Sequence, residues 1–409
     1  MSARAMSPRR FNGAALTRFL LAAFASCTLA GRAAATEQPC QARTEFDTIT
    51  AAVSEHFYDH TFRGLDWPKR VSTARKKVGC KDDTRAVASK INTLLSELHT
   101  SHTGVYTQQD LDYWALQSVF SQGVDQFPVA FSGIWPIRLK GHWYAKYVLP
   151  GSSAFDSGVQ PGDELVSIDG KPFQPLGFSA SIASRLVFSR DGRAKQSVAI
   201  QARAQGMQQF FLDAAQTSAH TLSIGTRTTG YFHLWAGTNA LFLKNLNDAL
   251  AEFEKQKVDA LILDLRGGFG GAGLEYLANL KQSEHLRQVP KYFLIDDGVR
   301  SGKEWVAGTV RVEKLGTLVG STTAGMFMGG SPFRFFDNRY LLYLAVGTFE
   351  PPGIGKIEGI GVPPDVAVAP CRRYCGGKDP QLDRAVDLIR ALPPLSARNP
   401  PAPGLSKSS

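Results

Sequence analysis

Apolar residues recur at helical spacing along residues 40–100. Phe46, Ile49, Val53 and Phe57 form one stripe; Val87, Ile91, Leu94, Leu95 and Leu98 form another. The pattern predicts an N-terminal unit of two or three helices. Between residues 127 and 213 the period shortens. Brief β-rich runs at 127–131, 143–149, 164–168, 197–201 and 209–212 are separated by turn residues, as in a strand-rich unit. From residue 228 to 370 the pattern alternates again. It predicts strands at 232–234, 260–263, 292–295, 317–319 and 340–346, and helices at 239–255, 273–280 and 301–312. Alternating strands and helices predict a largely parallel sheet.

The two ends read differently. Residues 1–35 open with Arg4, Arg9, Arg10 and Arg18, continue with an apolar run at 19–30 and close on Ala33-Ala34-Ala35. That is the pattern of a secretory signal peptide, too short for a membrane span. Arg9-Arg10 fits a twin-arginine signal only loosely. Phe24-Ala25-Ser26 before Cys27 is a poor lipobox, so cleavage after Ala35 is expected rather than lipid anchoring. No later run is long and apolar enough to span a bilayer, and a periplasmic or secreted location follows. The tail after residue 391 is rich in Pro and Ser and is expected to be mobile.

Composition adds two constraints. The formal net charge is +10, but residues 1–35 carry five arginines and no acid, which leaves about +5 after cleavage. No Lys/Arg cluster remains to argue for nucleic acid. Beyond Cys27 there are four cysteines, Cys40, Cys80, Cys371 and Cys375. An even count in an exported protein suggests two disulfides, paired by region as Cys40–Cys80 and Cys371–Cys375. Zinc is the alternative, but there is no CxxC pair and no histidine nearby. His56 and His60 stand four apart without a third ligand, as on a solvated helix face. The chain divides into a signal peptide (1–35), a helical unit (36–115), a β-rich domain (116–215), an α/β core (216–370) and a C-terminal helix with tail (371–409).

Three stretches carry chemistry. In RGGFGGAG (266–273), Gly268, Gly270 and Gly273 satisfy G-x-G-x-x-G after a strand. This is a dinucleotide fingerprint, with Asp296 or Asp297 available for a ribose. It is equally a tight turn, or a loop whose Gly270 and Gly271 N–H groups face an oxyanion. In DDGVRSGKEW (296–305), Ser301 and Glu304 form a capping box, yet a serine at a helix N-terminus also suits a nucleophile. In ELHTSHTG (97–104), a Ser101-His102 pair ends an apolar helix. His99 reads as a helix-end residue.

Two resemblances organise these pieces. The run VLPGSSAFDSGVQPGDELVSIDGKPF (148–173) resembles a PDZ domain, with Asp163 and Asp169-Gly170 in place. This implies peptide binding by strand addition, with a carboxylate loop near Gly133, Ile134 and Trp135. Nearly all of the mature chain resembles the C-terminal processing (tail-specific) serine proteases, in particular the branch that includes the tricorn protease core. LHTSHTG, the PDZ-like run, ALILDLRGGFGG, SGKE, LVGSTTAG and IEGIGVPPDVAV follow in the family's order. The resemblance implies a multidomain α/β protein with a crotonase-like spiral core. It implies Ser301 as nucleophile, His102 as general base, Ser101 and Glu358 completing a tetrad, and Gly302 with Gly270 or Gly271 as the oxyanion hole. The sibling branch places a lysine after Thr-x-Gly; here Thr323-Ala324-Gly325 is followed by Met326, and Lys303 is expected to point to solvent. The family's loop carries Asn where this chain has Gly268. An exported serine peptidase acting on protein or peptide substrates, without metal or organic cofactor, is the implied function. The alternatives are an inactive PDZ-type scaffold and an exported dinucleotide-dependent oxidoreductase.

Overall fold

The computed structural model describes residues 40–394. The expected signal peptide, Cys27 and the distal tail lie outside the described residues. Strands Ala260–Asp264 and Lys291–Ile295 are buried at every position, as strands covered on both faces must be. They form the middle of a six-stranded sheet. Its order is His220–Ile224, Arg227–His233, Ala260–Asp264, Lys291–Ile295, Thr317–Gly320 and Val366–Ala367. The first pair is antiparallel and the rest are parallel. Side chains alternate between faces. Leu261, Leu263, Phe293 and Ile295 enter the main core, whereas Ile262, Leu294 and Val319 meet Ala385 and Ile389 of helix Pro380–Arg390. Because the central strands are parallel, the loops after Asp264, Ile295 and Gly320 all emerge at one edge of the sheet. Loops at the carboxyl ends of parallel strands are where such sheets build their sites.

The N-terminal helices are Gln41–His56, Trp67–Arg75 and Thr84–Leu95. Asp66 and Asp83 cap the second and third through their side chains. The predicted stripes are buried. They pack on an antiparallel sheet of strands Gly104–Thr107, Tyr340–Gly347 and Gly329–Phe335, which contributes Tyr340, Leu342 and Leu344 to their core. Gly104 pairs with Tyr343 and Thr107 with Tyr340. This pairing holds the segment just before Gly104, with its Ser-His pair, against the far half of the chain. Strand Gly329–Phe335 was not expected. It begins with two glycines and contains Pro332, which only an edge strand tolerates.

The β-rich region forms an antiparallel sheet of Ile134–Leu139, His142–Val148, Glu164–Ile168, Ser184–Ser189 and Gln196–Ile200. The strand expected at 209–212 is instead part of helix Met207–Ser218. Phe210, Phe211, Ala214, Ala215 and Ser218 share its buried side, a helical period invisible in a four-residue window. The helix expected at 273–280 is a 3-10 turn, Leu274–Leu277, followed by the short helix Ala278–Gln282. Helix Leu111–Val119, also unforeseen, runs across residue 115. Cys40 is paired with Cys80, and Cys371 with Cys375.

Candidate active site

Ser301 lies in the loop after strand Lys291–Ile295 and is the N-cap of helix Gly302–Val312. Its backbone has φ 54° and ψ −131°, a conformation that an L residue holds only when its surroundings enforce it. The enforcement is visible. Ser301 N–H donates to Met326 O at 2.9 Å and to Glu304 Oε2 at 3.1 Å. Glu304 is fully buried. Its carboxylate also accepts from Thr323 Oγ1 (2.6 Å), Gly325 N–H (2.7 Å) and Met326 N–H (2.9 Å). The capping box is therefore a hub that ties the Ser301 loop to residues 323–326. Burial pushes the Glu304 carboxyl up from its ordinary value, against these hydrogen bonds.

Lys303 departs from expectation. It does not point to solvent; it is fully buried. Its ammonium donates to the carbonyls of Leu234 (3.2 Å), Trp235 (3.3 Å) and Gly267. It thus ties the glycine loop to the end of strand Arg227–His233. A solvent-facing reading followed from its place beside a polar helix start, and nothing local in the sequence signals the carbonyls that converge on it. Burial draws its pKa down to about 7, and neighbouring Arg300 adds to the shift.

The glycine loop closes on the serine. A Cβ added at Gly270 would come 2.5 Å from Ser301 Cβ and 3.1 Å from Gly302 N, so only glycine fits. Neither Gly270 nor Gly302 N–H donates to a protein acceptor among the described residues, as an oxyanion hole requires. Gly271, with φ 87°, backs onto Thr238. At Gly268, where the resembled family carries Asn, a Cβ would fall 1.8 Å from Trp235 O. The loop starts at Arg266, which is clamped by Asp264 and by Asp379, the N-cap of the last helix.

His102 approaches from the other side. It is buried, 5% exposed. Its Nδ1 lies 2.9 Å from Ser101 Oγ. Ser101 Oγ donates its single proton to Glu358 Oε2 at 2.8 Å, so it can only accept from His102. That assigns the neutral tautomer with the proton on Nδ1 and leaves Nε2 as an acceptor. Glu358 is fixed in turn by Ser101 N–H (2.9 Å) and Phe327 N–H (2.7 Å). Burial lowers the His102 pKa to about 4, with Glu358 opposing and Arg300 reinforcing the shift. His102, Ser301, Gly270 and Gly271 line one cavity of about 220 Å³. His99 is an exposed helix-end residue, His56 stacks on Phe333 and His60 is exposed.

The remaining candidates lie apart. Gly133, with φ 95°, packs where its Cβ would meet Ser152 Oγ, and Ile134 is buried. Trp135 packs edge-to-face on Phe269, the neighbour of Gly270. Asp296 accepts from Tyr147 Oη at 2.6 Å, and Asp297 is ion-paired with Lys146 and Arg372. These pairings, and the 3-10 turn that replaces a helix after the glycine loop, count against a dinucleotide cradle. A larger cavity of about 380 Å³ lies beside Lys146, Asp264, Arg266 and Asp379. Its lining contains no serine nucleophile.

The comparisons agree with this geometry. Residues 273–368 match the model for peptidase family S41. The chain is similar to carboxyl-terminal-processing proteases. It is 25% identical over 357 residues to carboxyl-terminal-processing peptidase 3, chloroplastic, of Arabidopsis thaliana, covering 77% of this chain and 66% of that protein. The chain thus spans a little under two thirds of that relative. In structure it is similar to a photosystem II D1 C-terminal processing protease, with a TM-score of 0.51 and 19% identity over 80% of this chain and 92% of the other. It is also similar to the tricorn protease, with a TM-score of 0.50 and 17% identity over 88% of this chain and 37% of the other. These likenesses carry the mixed α/β fold. The S41 match includes Ser301 and Glu358 and leaves Ser101 and His102 outside it.

Proposed function

We propose that this chain is an exported serine peptidase that cuts protein or peptide substrates through an acyl-enzyme. The observation that carries the reading is the Glu358–Ser101–His102 chain, which ends at a cavity shared with Ser301 and Gly270. His102 Nε2 takes the proton as Ser301 Oγ attacks the substrate carbonyl. Ser101 and Glu358 hold the imidazole tautomer and offset the positive charge that develops on it. The N–H groups of Gly302 and Gly270 receive the oxyanion, helped by the N-terminus of helix Gly302–Val312. His102 then returns its proton to the leaving amine, and water hydrolyses the ester by the reverse sequence. A histidine base and Met326 in place of a lysine support the tricorn-like branch.

In this reading residues 36–115 are the helical unit, 116–215 a PDZ-like domain and 216–370 a crotonase-like core. Strand Ile134–Leu139 is an edge strand, available to a substrate tail by strand addition. Trp135 against Phe269 gives that domain a route to the oxyanion loop. The two cysteine pairs and the signal-like N-terminus support an oxidising, periplasmic or secreted setting.

The test is proteolysis by residues 36–409 of an unfolded protein mixture, with new termini read by mass spectrometry. New termini that vanish in Ser301→Ala are expected. Binding of peptide tails without any Ser301-dependent cleavage would favour the scaffold instead.

A further inference from the structure

Arg300 directly precedes the nucleophile, and the mechanism above gives it no task. It lines the same cavity as His102 and Ser301. Its guanidinium lies over the Phe269 ring, 5.0 Å from the centroid, beside the oxyanion loop. Among the described residues it forms no ion pair and no side-chain hydrogen bond, and its Nε is buried without a partner. Asp112, the acidic side chain among the cavity's lining residues, forms no ion pair or hydrogen bond with it. Burial raises the Asp112 carboxyl above its usual value, and the charge of Arg300 opposes that rise without pairing. No other acidic side chain lines the cavity, whose aromatic members include Tyr106, Phe120 and Tyr343.

A guanidinium carries five N–H donors in a fixed fork that matches a carboxylate. One held on an aromatic face at a reaction centre, with a desolvated donor unused, is built for an acceptor that arrives with the ligand. We propose that Arg300 is the specificity residue of this site and receives a substrate carboxylate next to the scissile bond. The carboxylate comes from an Asp or Glu side chain flanking that bond, or from a free C-terminus. The proposal rests on the peptidase reading and names its substrate class. It also links recognition to catalysis. Arg300 disfavours positive charge on His102, so a carboxylate docked on Arg300 would ease formation of the imidazolium in the transition state.

The experiment uses residues 36–409 and three probes read by intact mass and peptide mapping. A plain fluorophosphonate tests for an activated serine. Failure to modify Ser301 would overturn the peptidase reading and this proposal with it. Peptidyl diphenyl phosphonates with a Glu, Gln or Ala side chain beside the phosphorus lose phenol as Ser301 is modified. The Glu probe is expected to react about tenfold or more faster than the Gln probe, the scale of one charge-assisted hydrogen bond. In Arg300→Gln that ratio should collapse toward one, and in Arg300→Lys it should fall part-way. Short peptides with free or amidated C-termini, competing with the fluorophosphonate, test the other source. Protection by the free acid alone, lost in Arg300→Gln, would assign the α-carboxylate. Glu and Gln probes reacting alike, with free acid and amide protecting alike, would overturn the proposal. So would an equal loss on all probes in Arg300→Gln, which would make Arg300 a general oxyanion group.

Discussion

The proposed active site has two halves that are held in different ways. The base half, Ser101, His102 and Glu358, hangs on side-chain hydrogen bonds between a short N-terminal loop and a half-buried glutamate. The nucleophile half, Ser301 with the glycine loop, rests on two charged residues without solvent exposure, Lys303 and Glu304. Buried charges are costly unless every donor or acceptor is engaged, so Lys303 and Glu304 are part of the fold. Glu358 and Ser101 serve mainly to orient one ring. The comparison predicts that damage to the nucleophile half reaches stability more strongly, whereas damage to the base half falls mainly on rate.

Glu304→Gln should show the larger effect. The amide would turn an NH₂ toward N–H groups that now donate to a carboxylate, and a buried unsatisfied pair of this kind costs about 2–3 kcal/mol. A fall in thermal midpoint together with loss of Ser301 reactivity is expected; an unchanged midpoint would break the comparison. Lys303→Met frees the carbonyls of Leu234, Trp235 and Gly267 while removing a buried ammonium. These effects on stability oppose each other. The glycine loop loses its tie, and a drop of about 10–100-fold in the rate of Ser301 modification is expected, the scale of losing part of an oxyanion site. Glu358→Gln should lower that rate by about tenfold or more and cost less stability in urea unfolding than Glu304→Gln, because Glu358 is only half-buried and water can take up an N–H that its amide turns away.

The remaining prediction concerns pH. The folded His102 pKa, about 4, lies below the unfolded value of 6.5. Between those values the unfolded chain binds a proton that the native site excludes. This contribution to stability is therefore full above 6.5 and is lost as pH falls toward 4. Ser301 reactivity should persist through pH 6 and reach half its plateau near pH 4. In Arg300→Gln the midpoint should move upward, because Arg300 contributes to the depression.

The same division decided what could be read in the sequence. Ser301, His102, Ser101 and Glu358 stand in short motifs whose order was legible, and the structure brings Glu358, Ser101 and His102 into one hydrogen-bonded chain. The central strands were legible because burial on both faces leaves an unbroken apolar run, as in Ala260–Asp264. Lys303 was misread because its partners are carbonyls from residues 234, 235 and 267, and backbone acceptors leave no trace in side-chain pattern. Glu304 was seen as a cap and not as a hub, since its other partners lie about twenty residues on. Residues 209–212 were misread as a strand for want of a longer window, and Gly329–Phe335 was hidden by its glycines and proline.

The central claim is that His102, oriented by Ser101 and Glu358, activates Ser301. Its most direct test is intact-mass analysis of residues 36–409 after fluorophosphonate treatment, with Ser301→Ala and His102→Ala alongside. The account predicts one adduct per chain, mapped to Ser301, absent from the first variant and slowed at least about a hundredfold in the second. Modification of Ser301 at an undiminished rate in His102→Ala would contradict it.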